Sequence, residues 1–233
     1  MKTIGIIGGI GPESTLDYYR RIISAFQAHE AGGDNPEIVI YSVNLAELLR
    51  MLEAGDLKRI ADWLVEKVGI LAGAGADFAA IGSNTPHVVF DEVRSRSPIP
   101  MVSIVEETCG RAERLGLKQP GLMGTKFTME SDFFQKEFRR RGMSVAVPCA
   151  EDREFIHRKL FSEIELGIIK DSTRRALLSV VERMMEKDRI DSVILGCTEL
   201  PLILEKDEYG LPFLNTTAIH AESIVRRCLG EDS

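Results

Sequence analysis

The sequence predicts an α/β protein made of two similar parallel-sheet domains related by a pseudo-twofold. Three observations carry that prediction. Short apolar runs alternate with helix-period segments along the whole chain, the pattern of parallel sheets covered by helices on both faces. The chain has 233 residues, comfortable for two domains of roughly 100–120 residues. It also matches itself at a nearly constant offset. A shift of 114 lays Asp77-Phe-Ala-Ala-Ile-Gly-Ser83 over Asp191-Ser-Val-Ile-Leu-Gly-Cys197, and a shift of 116 lays Ile4-Gly5-Ile-Ile-Gly8 over Pro120-Gly121-Leu-Met-Gly124.

Taken in order, residues 3–8, 37–43 and 77–82 read as buried strands of the first domain. Residues 119–124, 144–147 and 192–196 read as those of the second, and 211–214 reads as a further strand. A helix spans 16–26. Another spans 171–187, where Leu177, Val180, Val181, Met184 and Met185 form one stripe and Asp171 or Ser172 supplies a cap. The crossover at Ser97-Pro98-Ile99-Pro100 marks the boundary, giving a first domain of 1–98 plus 207–233 and a second of 99–206. In such sheets ligands sit beyond the carboxyl ends of the strands. The duplication puts Ser83 and Cys197 at equivalent strand ends, facing an active site in the interdomain cleft.

Composition narrows the partners. Hydrophobic residues make up 44% and charged residues 28% of the chain, the balance of a globular protein. The net charge of −7 argues against nucleic acid or an anionic membrane as the main partner. No uncharged apolar run approaches a membrane span, and the N-terminus lacks the h-region of a signal peptide, so a cytoplasmic location is expected. Cys109, Cys149, Cys197 and Cys228 form no CxxC or Cys/His cluster, so no metal is expected and three of the four read as buried thiols.

Four turns offer chemistry. Gly8-Gly9-Ile10-Gly11-Pro12-Glu13-Ser14 stands where a dinucleotide fingerprint would, but Ser14 replaces its third glycine and Pro12 occupies the turn. The remaining reading is a tight turn with N–H groups of Gly9 and Ile10 suited to a small carboxylate. In Gly82-Ser83-Asn84-Thr85-Pro86-His87, Thr85 is a natural cap and Pro86 fits a first helical position. His87 reads as a packing residue before an acid or base. Thr125-Lys126-Phe127-Thr128 offers hydroxyls at a helix start. In Gly196-Cys197-Thr198-Glu199, a cysteine between strand and helix sits in a positive field that favours thiolate, a nucleophile or a base that Glu199 could tune. The run 139–141 reads as a solvated helix end, and Trp63 as core.

Together these segments, with Asn215-Thr-Thr-Ala-Ile-His-Ala-Glu222, resemble the aspartate/glutamate racemase family in that family's order and over essentially the whole chain. The resemblance implies two similar α/β domains, a homodimer, and racemisation of an acidic amino acid with no cofactor and no pyridoxal phosphate. Inverting a carbon requires one group to take the α-proton from one face and another to return it from the other. In the family both are usually cysteines. Here Cys197 is one, and Ser83 stands in place of the other. By the same resemblance Asn84, Thr85, Thr125, Thr128 and Thr198 hold the α-carboxylate and stabilise enolate-like charge.

The chain departs from the family at the distal-carboxylate clamp. Arg50, or its neighbour Leu49, falls at the expected arginine, whereas Glu165 stands where a lysine is expected and would repel an acidic substrate unless Lys126 substitutes. Asn215 replaces a common aspartate. The expectation is therefore a racemase of aspartate, glutamate or a related amino acid with Cys197 as its base. A single-cysteine decarboxylase of the same superfamily and a small-carboxylate-binding protein without catalysis stand as alternatives.

Overall fold

β1 (Ile4–Gly8) is continuously apolar because both its faces are covered. Ile4 and Ile6 enter one core with Tyr18, Ile22 and Phe26, while Ile7 enters the opposite one with Leu64, Val68 and Leu71. The computed structural model describes residues 1–29 and 35–231. After β1 come α1 (Pro12–His29), β2 (Ile38–Ser42), α2 (Leu45–Glu53), α3 (Leu57–Gly73), β3 (Phe78–Ile81), α4 (Phe90–Arg96), β4 (Met101–Val102) and α5 (Ile104–Arg114). The chain continues through β5 (Pro120–Met123), α6 (Lys126–Glu130), α7 (Phe133–Arg140), α8 (Ala150–Ser162), α9 (Asp171–Asp188), β6 (Ser192–Leu195), β7 (Phe213–Asn215) and α10 (Thr216–Leu229).

Two compact units result, Met1–Glu107 with Thr217–Ser233 and Thr108–Thr216. The first carries a four-stranded sheet in the order β2-β1-β3-β4, the second a three-stranded sheet in the order β5-β6-β7. Every strand pair is parallel, so the protein is α/β with two parallel sheets.

The two units repeat one another in register. Ile4 pairs with Phe78 in the first sheet and Pro120 with Ser192 in the second, the very positions that the sequence offsets superpose. The aspartate before β3 and the one before β6 do the same work. Asp77 accepts the Thr3 N–H at 2.7 Å, and Asp191 accepts the Gln119 N–H at 2.9 Å. Beyond the strands, Gly82 N–H bonds Ile7 O at 2.9 Å and Gly196 N–H bonds Met123 O at 2.7 Å.

Three expectations need correcting. Residues 144–147 are not a strand; only Ala146 bridges Gly121, and Pro148 ends the pairing because it has no N–H to donate. Past Pro98, Met101 and Val102 pair with Ala79 and Ala80, which keeps this stretch in the first unit. The cap of α9 is Lys170 in an extended conformation, with no side-chain bond to the helix start, rather than Asp171 or Ser172. Leu177, Val180, Val181 and Met184 of its stripe are buried, and Met185 is half-buried. Among the described residues no helix is long and apolar enough to cross a membrane.

Candidate active site

In the first unit the turn from β1 to α1 admits only glycine at its second position. Gly9 has φ +82°, and a Cβ there would lie 2.5 Å from Val43 O. The Gly9 N–H, offered to a ligand by the sequence reading, instead donates to Thr15 Oγ1 at 2.8 Å inside the fold. Pro12 opens α1, where its missing N–H costs nothing. Ile10 is buried. The Ser14 hydroxyl lies 3.4 Å from Gly82 O, which ties this turn to the end of β3.

Ser83 comes directly after Gly82 and is 8% exposed. Its carbonyl accepts a hydrogen bond from His87 Nδ1 at 2.9 Å, while His87 Nε2 accepts the Ile104 N–H at 3.3 Å. These two backbone partners fix the tautomer and leave His87 no nitrogen for catalysis. Burial, aided by nearby His220, holds its pKa down to about 3. His220 is fixed in the same way. Its Nε2 donates to Val102 O at 3.1 Å and its Nδ1 accepts from the buried Tyr18 hydroxyl at 2.8 Å. Burial lowers its pKa to about 4. No side-chain hydrogen bond of Ser83 is found among the described residues, so no base in its own unit activates the hydroxyl.

Asn84 is buried and Thr85 half-buried. A 3₁₀ turn, Thr85–Val89, starts here, and its cap is Asn84 in helical conformation rather than Thr85. Arg50 is exposed on α2, and no side-chain bond joins it to Ser83, Asn84 or Thr85 among the described residues.

In the second unit Thr125 caps α6, accepting from the Thr128 N–H at 3.2 Å, and the two hydroxyls lie 3.0 Å apart. A Cβ on Gly124 would sit 2.9 Å from Gly196 O, and one on Gly196 would touch Thr128. The ends of β5 and β6 are thereby pressed together, and Thr125, Thr128, Cys197, Thr198 and Glu199 follow the carboxyl ends of these two strands.

Cys197 is 6% exposed, and its Sγ donates to Glu199 Oε2 at 3.0 Å. The Thr198 hydroxyl donates to the same oxygen at 2.8 Å. The sequence predicts a helix start here that would favour thiolate. Cys197 instead leads into a three-residue 3₁₀ turn, Leu200–Leu202, too short to sum a useful dipole. Burial and then the Glu199 carboxylate push the thiol well above its ordinary range, so sulfur rests protonated at neutral pH.

The 3₁₀ turn Ile164–Leu166, closed by left-handed Gly167 at φ 72°, brings Glu165 to the same place. One donor atom each from Glu165, Cys197 and Glu199 lies within 4.8 Å of the others. Two carboxylates and a sulfur so spaced are a donor set that could also hold a divalent cation, which the spacing along the chain did not suggest. Partial withdrawal from water, then repulsion by Glu199, raises the Glu165 carboxyl to about 7 although the residue is exposed. Lys126, the proposed stand-in cation, is paired with Glu154 at 3.0 Å. Lys159 and Lys170 are both taken by Glu163, at 2.6 and 3.2 Å. Asn215 pairs through its backbone with Leu195, two residues before Cys197.

Comparison with known proteins agrees over nearly the full length. The family model for Asp/Glu/hydantoin racemase matches residues 7–224. The broad specificity amino-acid racemase RacX of Bacillus subtilis is 27% identical over 99% of this chain and 100% of its own. A crystal structure of an aspartate racemase homologue from Pyrococcus horikoshii is 34% identical with a TM-score of 0.86, covering 98% of this chain and 100% of that one. A Yersinia pestis crystal structure is 33% identical with a TM-score of 0.91 over the same shares.

Proposed function

The chain belongs to the Asp/Glu/hydantoin racemase family of isomerases, and from that membership we propose that it racemises an amino acid, aspartate, glutamate or a relative, without pyridoxal phosphate. Cys197 moves the proton on one face of the α-carbon and Ser83 serves the other. Supporting this reading is the Cys197–Glu199 hydrogen bond, a protonated thiol beside a carboxylate able to take its proton.

The steps balance as proton transfers alone. Glu199 accepts the thiol proton, and the thiolate removes the α-proton. The carbanion is spread into the α-carboxylate, where the Thr125, Thr128 and Thr198 hydroxyls and the Asn84 and Thr85 groups would stabilise it. Ser83, or a water that it holds, returns a proton to the opposite face, and exchange with solvent restores both residues. Gly9, Ile10 and Arg50 complete the assigned substrate-binding set, with Gly9 acting through the shape of its turn. The same proposal includes a homodimer located in the cytoplasm.

Deuterium exchange at the α-carbon tests the assignment. In D₂O, Cys197→Ala should abolish exchange from either enantiomer, and Ser83→Ala should retain exchange from one only. Full exchange in Cys197→Ala would remove the mechanism. A second reading, decarboxylation with the thiol delivering a proton to an enolate, is favoured by the protonated sulfur and by the unactivated Ser83 hydroxyl. Release of carbon dioxide from arylmalonates would mark it.

A further inference from the structure

Charge around Cys197 is one-sided. The carboxyl groups of Glu165 and Glu199 each place an oxygen within 4.8 Å of the Cys197 sulfur and of one another. Glu199 is already engaged, accepting from Cys197 and Thr198. Glu165 has neither a hydrogen bond nor an ion pair among the described residues. The turn that presents it is firmly based, because Glu163 beside it binds Lys159, Lys170 and the Thr173 hydroxyl. The same bonds occupy the two lysines closest along the chain, and Lys126 is held by Glu154. A substrate carrying a distal carboxylate would add a further negative group beside these two acidic side chains. A substrate carrying a distal cation would offset their charge.

Resting on the racemase reading, we infer that Glu165 selects amino acids whose side chain ends in an ammonium or guanidinium group over those ending in a carboxylate. Glu165 is the group that receives the distal cation, while Cys197 and Glu199 remain the proton-transfer pair. A charge-assisted hydrogen bond of this kind corresponds to a preference of about tenfold or more.

The test is α-deuterium exchange in D₂O with L-lysine, L-arginine, L-aspartate and L-glutamate, run on the unmodified protein, Glu165→Gln and Glu165→Lys. Glu165 is exposed and unbonded, so the substitutions leave the fold intact, as circular dichroism would verify. The unmodified protein should favour the basic substrates in kcat/KM by about tenfold. Glu165→Gln should raise KM for them with little change in kcat, and Glu165→Lys should turn the preference toward the acidic pair. Better turnover of aspartate or glutamate by the unmodified protein overturns the inference while leaving the racemase reading in place. An equal loss for all four substrates in Glu165→Gln also overturns it, since it assigns Glu165 to the α-ammonium group. Exchange with none of the four overturns both.

Discussion

Cys197 donates a hydrogen bond to Glu199 across 3.0 Å, and the accepting oxygen is shared with the Thr198 hydroxyl. Two residues of one turn thus hold the proton that the chemistry must move. The carboxylate opposes ionisation of the thiol in the resting state and accepts its proton when substrate arrives.

Glu199→Gln separates those two effects. Removing the charge lowers the thiol pKa, because the anion that opposed ionisation is gone. It also removes the acceptor, so α-deuterium exchange should fall by about a hundredfold. Peptide-resolved alkylation by iodoacetamide should meanwhile become faster at Cys197. Unchanged exchange with slower alkylation would show that Glu199 is not the acceptor.

Ser83→Cys replaces an unactivated hydroxyl by a far stronger proton donor and acceptor. Two-sided exchange, followed by the ratio of deuterated enantiomers from a single starting hand, should rise by about tenfold or more. No change, or a fall, would mean that Ser83 does not face the reacting carbon.

His87 and His220 make stability depend on pH. Each is neutral and buried, with its pKa lowered to about 3 and about 4 in the fold. The unfolded chain titrates near 6.5, so between these values it binds more protons than the native protein does. Stability should be fully present above about pH 6.5 and decline as pH falls toward 4, by up to about 1.4 kcal/mol per pH unit for each histidine. Urea unfolding at several pH values measures the slope, and a flat profile from pH 7 to 4.5 would contradict it.

Two glycines with positive φ should respond differently to alanine. At Gly9 a Cβ meets backbone atoms of Val43 at 2.5 and 2.7 Å, whereas at Gly55 nothing lies within 4 Å. Gly55→Ala should cost about 1 kcal/mol from backbone strain alone, and Gly9→Ala about 3 kcal/mol or more. Thermal melts of the two variants compare them directly, and equal losses would discount the clash.

Much of the fold was legible in the sequence because the central strands are apolar on both faces. β1, β3, β5 and β6 fall where unbroken hydrophobic runs predict them. β4 has only two residues, too few to form a run, so the extension of the first sheet past Pro98 could not be read. The internal repeat located the turns after β3 and β6, since equal registers require equal strand ends. Protonation at Cys197 was not legible. It depends on burial and on where one carboxylate oxygen points, and the short turn after the sulfur withholds the dipole that a helix would supply. Glu165 was visible as an anomaly of charge, but only folding carries it across 32 positions to the sulfur.

A thiol that rests buried and protonated is seldom the anion that peroxides attack. Cys197 should therefore outlast oxidative stress, while Cys149, exposed at the head of α8, becomes the sulfur that oxidants reach first. The hydrogen bond that primes the reaction also preserves its reagent in storage.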